Sequence, residues 1–257
     1  MKKVNKTLSV VLAVFNEEAN LGDCLSSIKD LADEIVVVDG GSTDKTVKIA
    51  EEFGAKIIQT DNPPVFHINK NKAIDAAKED WILQLDADEV VSKELVDEIG
   101  KVVNSDSDVN GYWIPRKNLF LGKFLTKGGQ YPDYTLRLYR KGKGRLPGKD
   151  VHEQAKVDGQ VGYLVNDLLH LGDKTFSIYM DRFNRYTDLV ALQLKEKKFS
   201  VSIFSFFDYV FLKPTIWFLK TYLRHRGYVD GFPGFIFALF SSFRFPVAYF
   251  KFIMEKG

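Results

Sequence analysis

Apolar and polar residues alternate in blocks along the first hundred residues. Short apolar runs of strand length cover residues 8–15, 35–39, 55–59 and 81–86. Each is followed by a stretch with helical spacing, so that helices are predicted at 20–31, 43–53, 68–77 and 93–103. Strands that alternate with helices in this way indicate right-handed βαβ crossovers. The pattern predicts an α/β fold with a mostly parallel sheet flanked by helices.

The pattern changes twice further along the chain. Residues 111–171 hold short strand-like runs with many glycines and charges, and a long helix is predicted from about Phe176 to Glu196. Residues 199–257 contain 14 of the 21 phenylalanines and seven Lys or Arg against three acids, which gives a local charge of +4 in a chain of net charge +2. We therefore expect boundaries near residues 110 and 198.

Carboxylates stand at the ends of two of the predicted strands. The run 81–86 leads into Asp86-Ala87-Asp88, and the run 35–39 ends at Asp39. Ligands of open parallel sheets collect at the carboxyl ends of strands. Asp86 and Asp88 are two residues apart, so an extended backbone turns both the same way, toward one hard divalent cation. Such a metal is usually completed by substrate phosphates, which predicts a nucleotide-diphosphate site. The alternative is a solvated loop that caps the next helix.

The sequence resembles the family-2 inverting glycosyltransferases with the GT-A fold. Residues 10–18, 39–44 and 81–89 carry this resemblance. Further matches resemble the bacterial subgroup that adds glucose to the inner core of lipopolysaccharide: Arg116-Lys117-Asn118, Gly128-Gly129, Pro132-Asp133-Tyr134, Arg137-Leu138-Tyr139, Val151-His152-Glu153, Tyr186-Thr187 and Asp230-Gly231. The resemblance implies a GT-A (Rossmann-like) α/β domain and transfer of a hexose, glucose in that subgroup, from a UDP-sugar donor to a glycan or glycolipid acceptor anchored in a membrane.

The resemblance also implies roles for individual residues. Asp39 would bind the uracil ring, Asp86 would approach the ribose and the metal, and Asp88 would be the main ligand of Mg²⁺ or Mn²⁺. The nucleotide-sugar-binding residues expected are Asp39, Glu17, Lys70, Asn71, Asp86 and Arg137. The metal ligands expected are Asp88, Asp86 and His152, with His170 a further histidine that can bind metal or diphosphate.

Inversion requires a base that deprotonates the acceptor hydroxyl. The Glu-Asp pair that family members often use beyond residue 130 is absent from this chain. Two carboxylates are candidates in its place, Glu153 first and Asp133 second. Each histidine and carboxylate here has a structural alternative, such as a solvated strand edge or a turn.

The basic, aromatic tail suits a segment that lies on an anionic membrane surface. Its longest uncharged run is residues 232–243, too short for a spanning helix of about 20 residues and interrupted by Pro233 and Gly234. The alternatives are a buried helical core or a homodimer interface. We therefore expect a nucleotide-sugar-binding half at 1–110, an acceptor-binding and catalytic-base half at 111–198, and a membrane-surface helical extension at 199–257.

The cysteine content and the N-terminal sequence indicate the cellular compartment. The single Cys24 excludes an intramolecular disulfide and fits a reducing environment. The N-terminal apolar run lacks a cleavage site, so no signal peptide is predicted. We expect a cytoplasmic protein associated with the inner face of the cell membrane, with no nucleic-acid partner. Two rival functions stay open: a nucleotidyltransferase acting on sugar phosphates, and a non-catalytic membrane-associated scaffold that binds nucleotides.

Overall fold

A computed structural model describes residues 6–63, 66–147 and 154–254. The chain divides into two compact units. Unit 1 comprises Met1–Arg116 and Asp133–His170, and unit 2 comprises Lys117–Pro132 and Leu171–Gly257.

Strands and helices alternate through the first part of unit 1, as the sequence pattern predicts. The strands of the described chain, of which β7 belongs to unit 2, are β1 (Leu8–Val14), β2 (Glu34–Asp39), β3 (Lys56–Gln59), β4 (Trp81–Leu85), β5 (Glu89–Val91), β6 (Gly111–Phe120), β7 (Lys123–Phe124), β8 (Asp133–Arg140), β9 (Gly144–Arg145), β10 (Lys156–Val157), β11 (Val161–Tyr163) and β12 (Leu168–Asp173). The helices of unit 1 are α1 (Leu21–Ile28), α2 (Thr46–Glu52), α3 (His67–Ala76) and α4 (Lys93–Val103).

The main sheet has the strand order β3-β2-β1-β4-β8-β6-β12-β5. Its first four strands are parallel, with β1 between β2 and β4. β8 then pairs with β4 in the antiparallel direction, and β6 pairs antiparallel with β8. The predicted α/β architecture with a parallel sheet and flanking helices is confirmed, and the antiparallel strands extend one side of it.

The central strands are buried because helices cover both faces of the sheet. β4 is buried along its whole length, as expected for an apolar run enclosed on both sides. One apolar cluster packs β1 against α1 and α4, and a second packs the other face against α3. Ser92 is the N-cap of α4, since its hydroxyl accepts from the Leu95 amide at 3.2 Å.

The sequence pattern does not predict β5. This short strand follows the acidic turn at once and pairs antiparallel with β12, where Glu89 is opposite His170. Its three residues are too few for a period to be recognised, and it forms because β12 offers a free edge to pair with.

Unit 2 is largely helical. Its helices are α5 (Phe176–Glu196), α6 (Ile203–Phe207), α7 (Lys213–Leu219) and α8 (Gly231–Met254), with π-helical turns at Asp208–Leu212 and Lys220–Arg224. The predicted bounds of α5 are confirmed. Aromatic contacts form its core: Tyr249 and Phe252 of α8 pack with Ala191 and Leu194 of α5.

The predicted helical tail is confirmed, but the longest helix exceeds the expected length. Together with the 3-10 turn before it, α8 gives a helix at Gly227–Met254 of 28 residues, long and apolar enough by length and composition to cross a membrane. α8 continues well past the uncharged run at 232–243, and Pro246 lies inside it. Core helices of soluble proteins meet the same criterion, and 33% of the most apolar window is buried.

Candidate active site

The loops that follow β1 and β2 are joined by side-chain hydrogen bonds. Asn16, in the left-handed region at φ 54°, accepts from the Thr43 amide at 2.8 Å and donates its own amide to Ser42 at 2.9 Å. The Glu17 amide donates to the Thr46 hydroxyl at 2.7 Å. These bonds hold two strand-end loops together at the carboxyl edge of the parallel strands, where ligands collect.

Asp39 lies in this loop and is almost completely buried, with 2% exposed. Its carboxylate accepts from the Gly41 amide at 3.1 Å and from the Ser42 amide at 3.1 and 3.2 Å. Gly41 has φ +86°, a conformation that favours glycine and turns these amides toward the carboxylate. The hydrogen bonds expected of Asp39 as a turn residue are therefore present, and uracil binding by Asp39 stays a prediction.

Asp86, directly after β4, is held between two cations. One carboxylate oxygen pairs with the Lys70 ammonium from α3 and the other with the Arg137 guanidinium from β8. Both cationic side chains are nearly buried, at 7% and 8% exposed. Burial alone would raise the pKa of Asp86, but Arg137 and Lys70 outweigh it and hold that pKa well below its ordinary value. Three predicted donor-site residues thus contact one another.

The pairing continues through Glu89 and Arg116. Arg137 also donates to Glu89 at 2.7 Å, and Glu89 is fully buried. The second oxygen of Glu89 accepts from the Asp86 amide at 2.9 Å. Arg116 lies 3.4 Å from Glu89 and donates to Asp133 at 2.7 and 3.0 Å. A continuous set of alternating charges therefore links Asp86 to the candidate base Asp133.

Asp88 pairs separately, with His170 on β12. The distance from His170 Nε2 to the Asp88 carboxylate is 3.2 Å. The pairing of β5 with β12 brings this histidine to the acidic turn. Burial would raise the pKa of Asp88, but the hydrogen bond from His170 outweighs it, and the pKa lies below its ordinary value. Asp88 is thereby kept ionised, the form in which a carboxylate binds a metal.

The other predicted site residues are Asn71, Glu17, Glu153 and His152. Asn71 donates to the Leu146 carbonyl at 2.9 Å and accepts from the Leu146 amide at 3.2 Å, so both ends of its amide hold a loop. Burial raises the pKa of Glu17, whose carboxylate accepts from Asn20 at 2.8 Å. The predicted base Glu153 and the predicted metal ligand His152 lie outside the described residues.

Sequence reasoning assigned no role to Glu89 or Arg116. Both are ionisable residues within strands, Glu89 at the start of β5 and Arg116 in the middle of β6. A charge inside a strand-like run needs a partner, and this requirement is the signal from which a buried ion pair is inferred.

The carboxylates of the site suit a metal ion that is coordinated mainly by the substrate. Across the three described ranges, no group of three or more His, Cys, Asp or Glu side chains converges as a metal cage. Asp88 is 27% exposed and offers hard oxygen donors. Mg²⁺ is commonly held by one or two carboxylates and completed by phosphates and water, so this arrangement suits an ion that arrives with a diphosphate.

A family profile and two similar proteins indicate the same protein family for this chain. The profile of glycosyl transferase family 2 matches residues 9–154, more than half of the chain. The lipopolysaccharide core biosynthesis glycosyltransferase LpsC of Rhizobium meliloti is 31% identical over 242 residues, covering 90% of this chain and 86% of LpsC. A glycosyltransferase of Rickettsia bellii is 30% identical over 253 residues, covering 93% and 84%. The resemblance stated from the motifs is confirmed.

The fold has a counterpart among solved structures. The crystal structure of TarS residues 1–349 from S. aureus aligns with a TM-score of 0.50 and 17% identity, over 96% of this chain and 88% of that one. At this identity the likeness concerns the fold alone. It confirms the predicted GT-A-like architecture.

We expect Glu89→Gln to destabilise unit 1 and weaken donor turnover. The substitution keeps the shape but removes the negative charge between two guanidinium groups, and breaking a buried ion pair typically costs about 3–5 kcal/mol. Urea unfolding should show a loss of that order, and steady-state kinetics a lower kcat/KM. Glu52→Gln, on the exposed face of α2, is the matched control and should change neither. Equal stability of the two variants would contradict the interpretation of Glu89.

Proposed function

The chain belongs to glycosyl transferase family 2, and from this we propose that it transfers a hexose, glucose in the simplest case, from a UDP-sugar to a cell-envelope glycan of the lipopolysaccharide-core type, with inversion. The observation that carries the proposal is the cluster of Asp86, Asp88, Lys70 and Arg137 at the carboxyl end of β4. Two carboxylates next to two nearly buried cations suit a metal and a diphosphate together. The LpsC relative supports the acceptor class.

The donor is bound by charge and by loop contacts. We assign the diphosphate to Lys70 and Arg137, since an ammonium and a guanidinium are the side chains that recognise phosphate. Asp39 and the glycines beside it contact the uracil end, and Glu17 completes the loop wall. Asn71 supports the site through Leu146. Lys70 and Arg137 both pair with Asp86, and Arg137 also pairs with Glu89, so two carboxylates balance the two buried cations.

A divalent cation, Mg²⁺ or Mn²⁺, is the proposed cofactor. Asp88 and Asp86 hold it, and His152 is a third candidate ligand. When bound, the ion offsets the charge that develops on the departing nucleoside diphosphate. His170 orients the Asp88 carboxylate through the contact at 3.2 Å.

The acceptor hydroxyl attacks the anomeric carbon while a carboxylate removes its proton. Glu153 is our first assignment for this base and Asp133 the second. Arg116 binds Asp133 with two N–H groups, which fixes the side-chain orientation and places a cation next to the carboxylate. If Asp133 were the base, the acceptor hydroxyl would share its carboxylate with Arg116, which binds the Oδ2 atom.

The proposed location follows from the acceptor and the tail. UDP-sugars and a reduced Cys24 fit the cytoplasm, and a glycan anchored in a membrane requires the enzyme at its inner face. Cys24 is buried and burial raises the pKa of its thiol well above the ordinary value, so it packs as a small apolar residue. The anionic surface is the proposed partner of unit 2, with self-association as a homodimer the alternative.

Metal dependence is tested with Asp88→Asn. The substitution keeps side-chain size but removes the charge that binds the cation, so transfer in the presence of Mn²⁺ should fall by at least about a hundred-fold, since a metal contributes several kcal/mol to charge stabilisation. The thermal midpoint should stay near that of wild type because the residue is partly exposed. Asp30→Asn, exposed after α1, is the control. Undiminished transfer by Asp88→Asn, or by wild type in excess EDTA, would remove the metal assignment.

The base assignment is tested with Glu153→Gln and Asp133→Asn. Neither amide accepts a proton at neutral pH, so the variant that removes the true base should lose about 10²–10⁴-fold in kcat with little change in donor affinity. We expect this signature for Glu153→Gln, measured by radiolabelled sugar transfer together with calorimetry for UDP. The same signature for Asp133→Asn alone would reverse the order, and full activity of both variants would exclude both residues.

A further inference from the structure

A stripe of exposed apolar side chains runs along one side of the continuous helical segment 203–224. Apart from the adjacent Phe211 and Leu212, its members recur every three or four residues, a spacing typical of one side of a helix. Their exposed fractions range from 46% for Leu219 to 83% for Phe204. The exposed stripe consists of Phe204, Phe207, Phe211, Leu212, Ile216, Leu219 and Leu223.

The opposite side of the same segment is packed within unit 2. Ser205 is buried and contacts the Tyr249 hydroxyl at 3.0 Å, and the Trp217 indole donates to Ser241 at 3.2 Å. Tyr209 stacks on Tyr249 with 5.3 Å between ring centroids. The segment is therefore anchored on α8, and its exposed side is apolar as well.

A helical segment with an apolar exposed side in addition to its packed side is normally covered there by protein or by lipid. The three phenylalanines of the stripe alone leave roughly 400 Å² exposed, taking about 200 Å² for each side chain. The four aliphatic residues extend this patch beyond the largest apolar patch of a typical monomer, roughly 300–600 Å². The exposed stripe thus has the size of an interaction surface.

The charges around the stripe favour lipid over protein. Segment 203–226 carries Lys213, Lys220, Arg224 and Arg226 against Asp208 alone, a net charge of +3. Asp208 is neutralised by Lys213 at 2.8 Å, which leaves three cations. The cores of protein–protein interfaces are depleted in lysine and acidic residues. Cations beside aromatic residues are typical of helices in the headgroup region of anionic bilayers.

We propose that segment 203–224 lies flat in the interfacial region of an anionic phospholipid bilayer, with the exposed stripe in the acyl boundary and Lys220, Arg224 and Arg226 at the headgroups. This proposal deepens the proposed function, because it names the surface through which an enzyme with a membrane-anchored acceptor contacts the membrane. The binding is peripheral.

α8 stays within unit 2 in this arrangement. Tyr249 and Phe252 are 0% and 1% exposed, and Lys251 donates to Asn184, Thr187 and Asp188 of α5 at 2.6–2.9 Å. A spanning orientation would break these contacts and place the Arg244 guanidinium, near the middle of the helix, in hydrocarbon. We therefore assign the membrane contact to segment 203–224, and α8 packs against that segment within unit 2.

Vesicle co-sedimentation of the full-length protein tests the proposal. Vesicles of phosphatidylglycerol and phosphatidylcholine should pellet the wild-type protein at low salt. The combined change Phe204→Ser, Phe207→Ser and Phe211→Ser should lower the partition coefficient by at least about a hundred-fold, since burial of each Phe contributes about 1.5–3 kcal/mol. Lys220→Gln with Arg224→Gln should lower it by about five-fold per cation on anionic vesicles only. Tyr163→Ser with Val165→Ser, exposed apolar residues of unit 1, should bind like wild type.

Three results would overturn the proposal. The first is that the wild-type protein stays in the supernatant with anionic vesicles at low salt. The second is that the serine variant pellets like wild type. The third is that the bound protein resists extraction by alkaline carbonate, as a protein with a spanning helix does. A wild-type dimer that the serine variant converts to monomer, without vesicle binding, would also overturn it and make the stripe a protein interface. The vesicles contain neither a sugar donor nor an acceptor, so a negative result would disprove the membrane contact without bearing on sugar transfer. UDP binding tests the proposed function separately.

Discussion

The Arg137 guanidinium is the contact on which the candidate site depends. It bridges Asp86 and the fully buried Glu89, and it is itself nearly buried. A charge removed from water must be paired and hydrogen-bonded, so these three side chains constrain one another strongly. Arg116 and Lys70 extend the constraint outward, to Asp133 and to α3. The acidic turn after β4 is thereby held in place before any ligand binds.

The fold supplies this contact through the change of strand direction beside β4. β8 runs antiparallel to β4, with Leu138 opposite Leu83, so Arg137 comes level with the end of β4 where the acidic turn begins. The pairing of β5 with β12 brings His170 to the same turn from another strand. A purely parallel sheet would place neither residue there. The antiparallel strands therefore bring the charged partners to the carboxyl edge of the parallel strands.

Local patterns predicted the elements well and the long-range partners poorly. The alternation of apolar runs and helical stretches identified the β1–β4 strands and α1–α5, and the strand-end rule singled out Asp86 and Asp88. The pairing of β5 with β12 involves residues about eighty positions apart, and no local period reports such a contact. The same limit explains why Glu89 and Arg116 were given no role, and why α8 was underestimated, since Pro246 is accommodated inside a packed helix.

Donor binding tests the central claim most directly. The claim is that the paired carboxylates and cations after β4 form a site for a metal and a nucleoside diphosphate-sugar. Isothermal calorimetry of the wild-type protein with UDP, GDP, ADP and CDP, each with and without Mn²⁺, measures this without an acceptor. The account predicts that UDP binds more tightly than the other three, and that Mn²⁺ strengthens its binding at least about ten-fold. Equal affinity for all four diphosphates, or no effect of Mn²⁺, would contradict it.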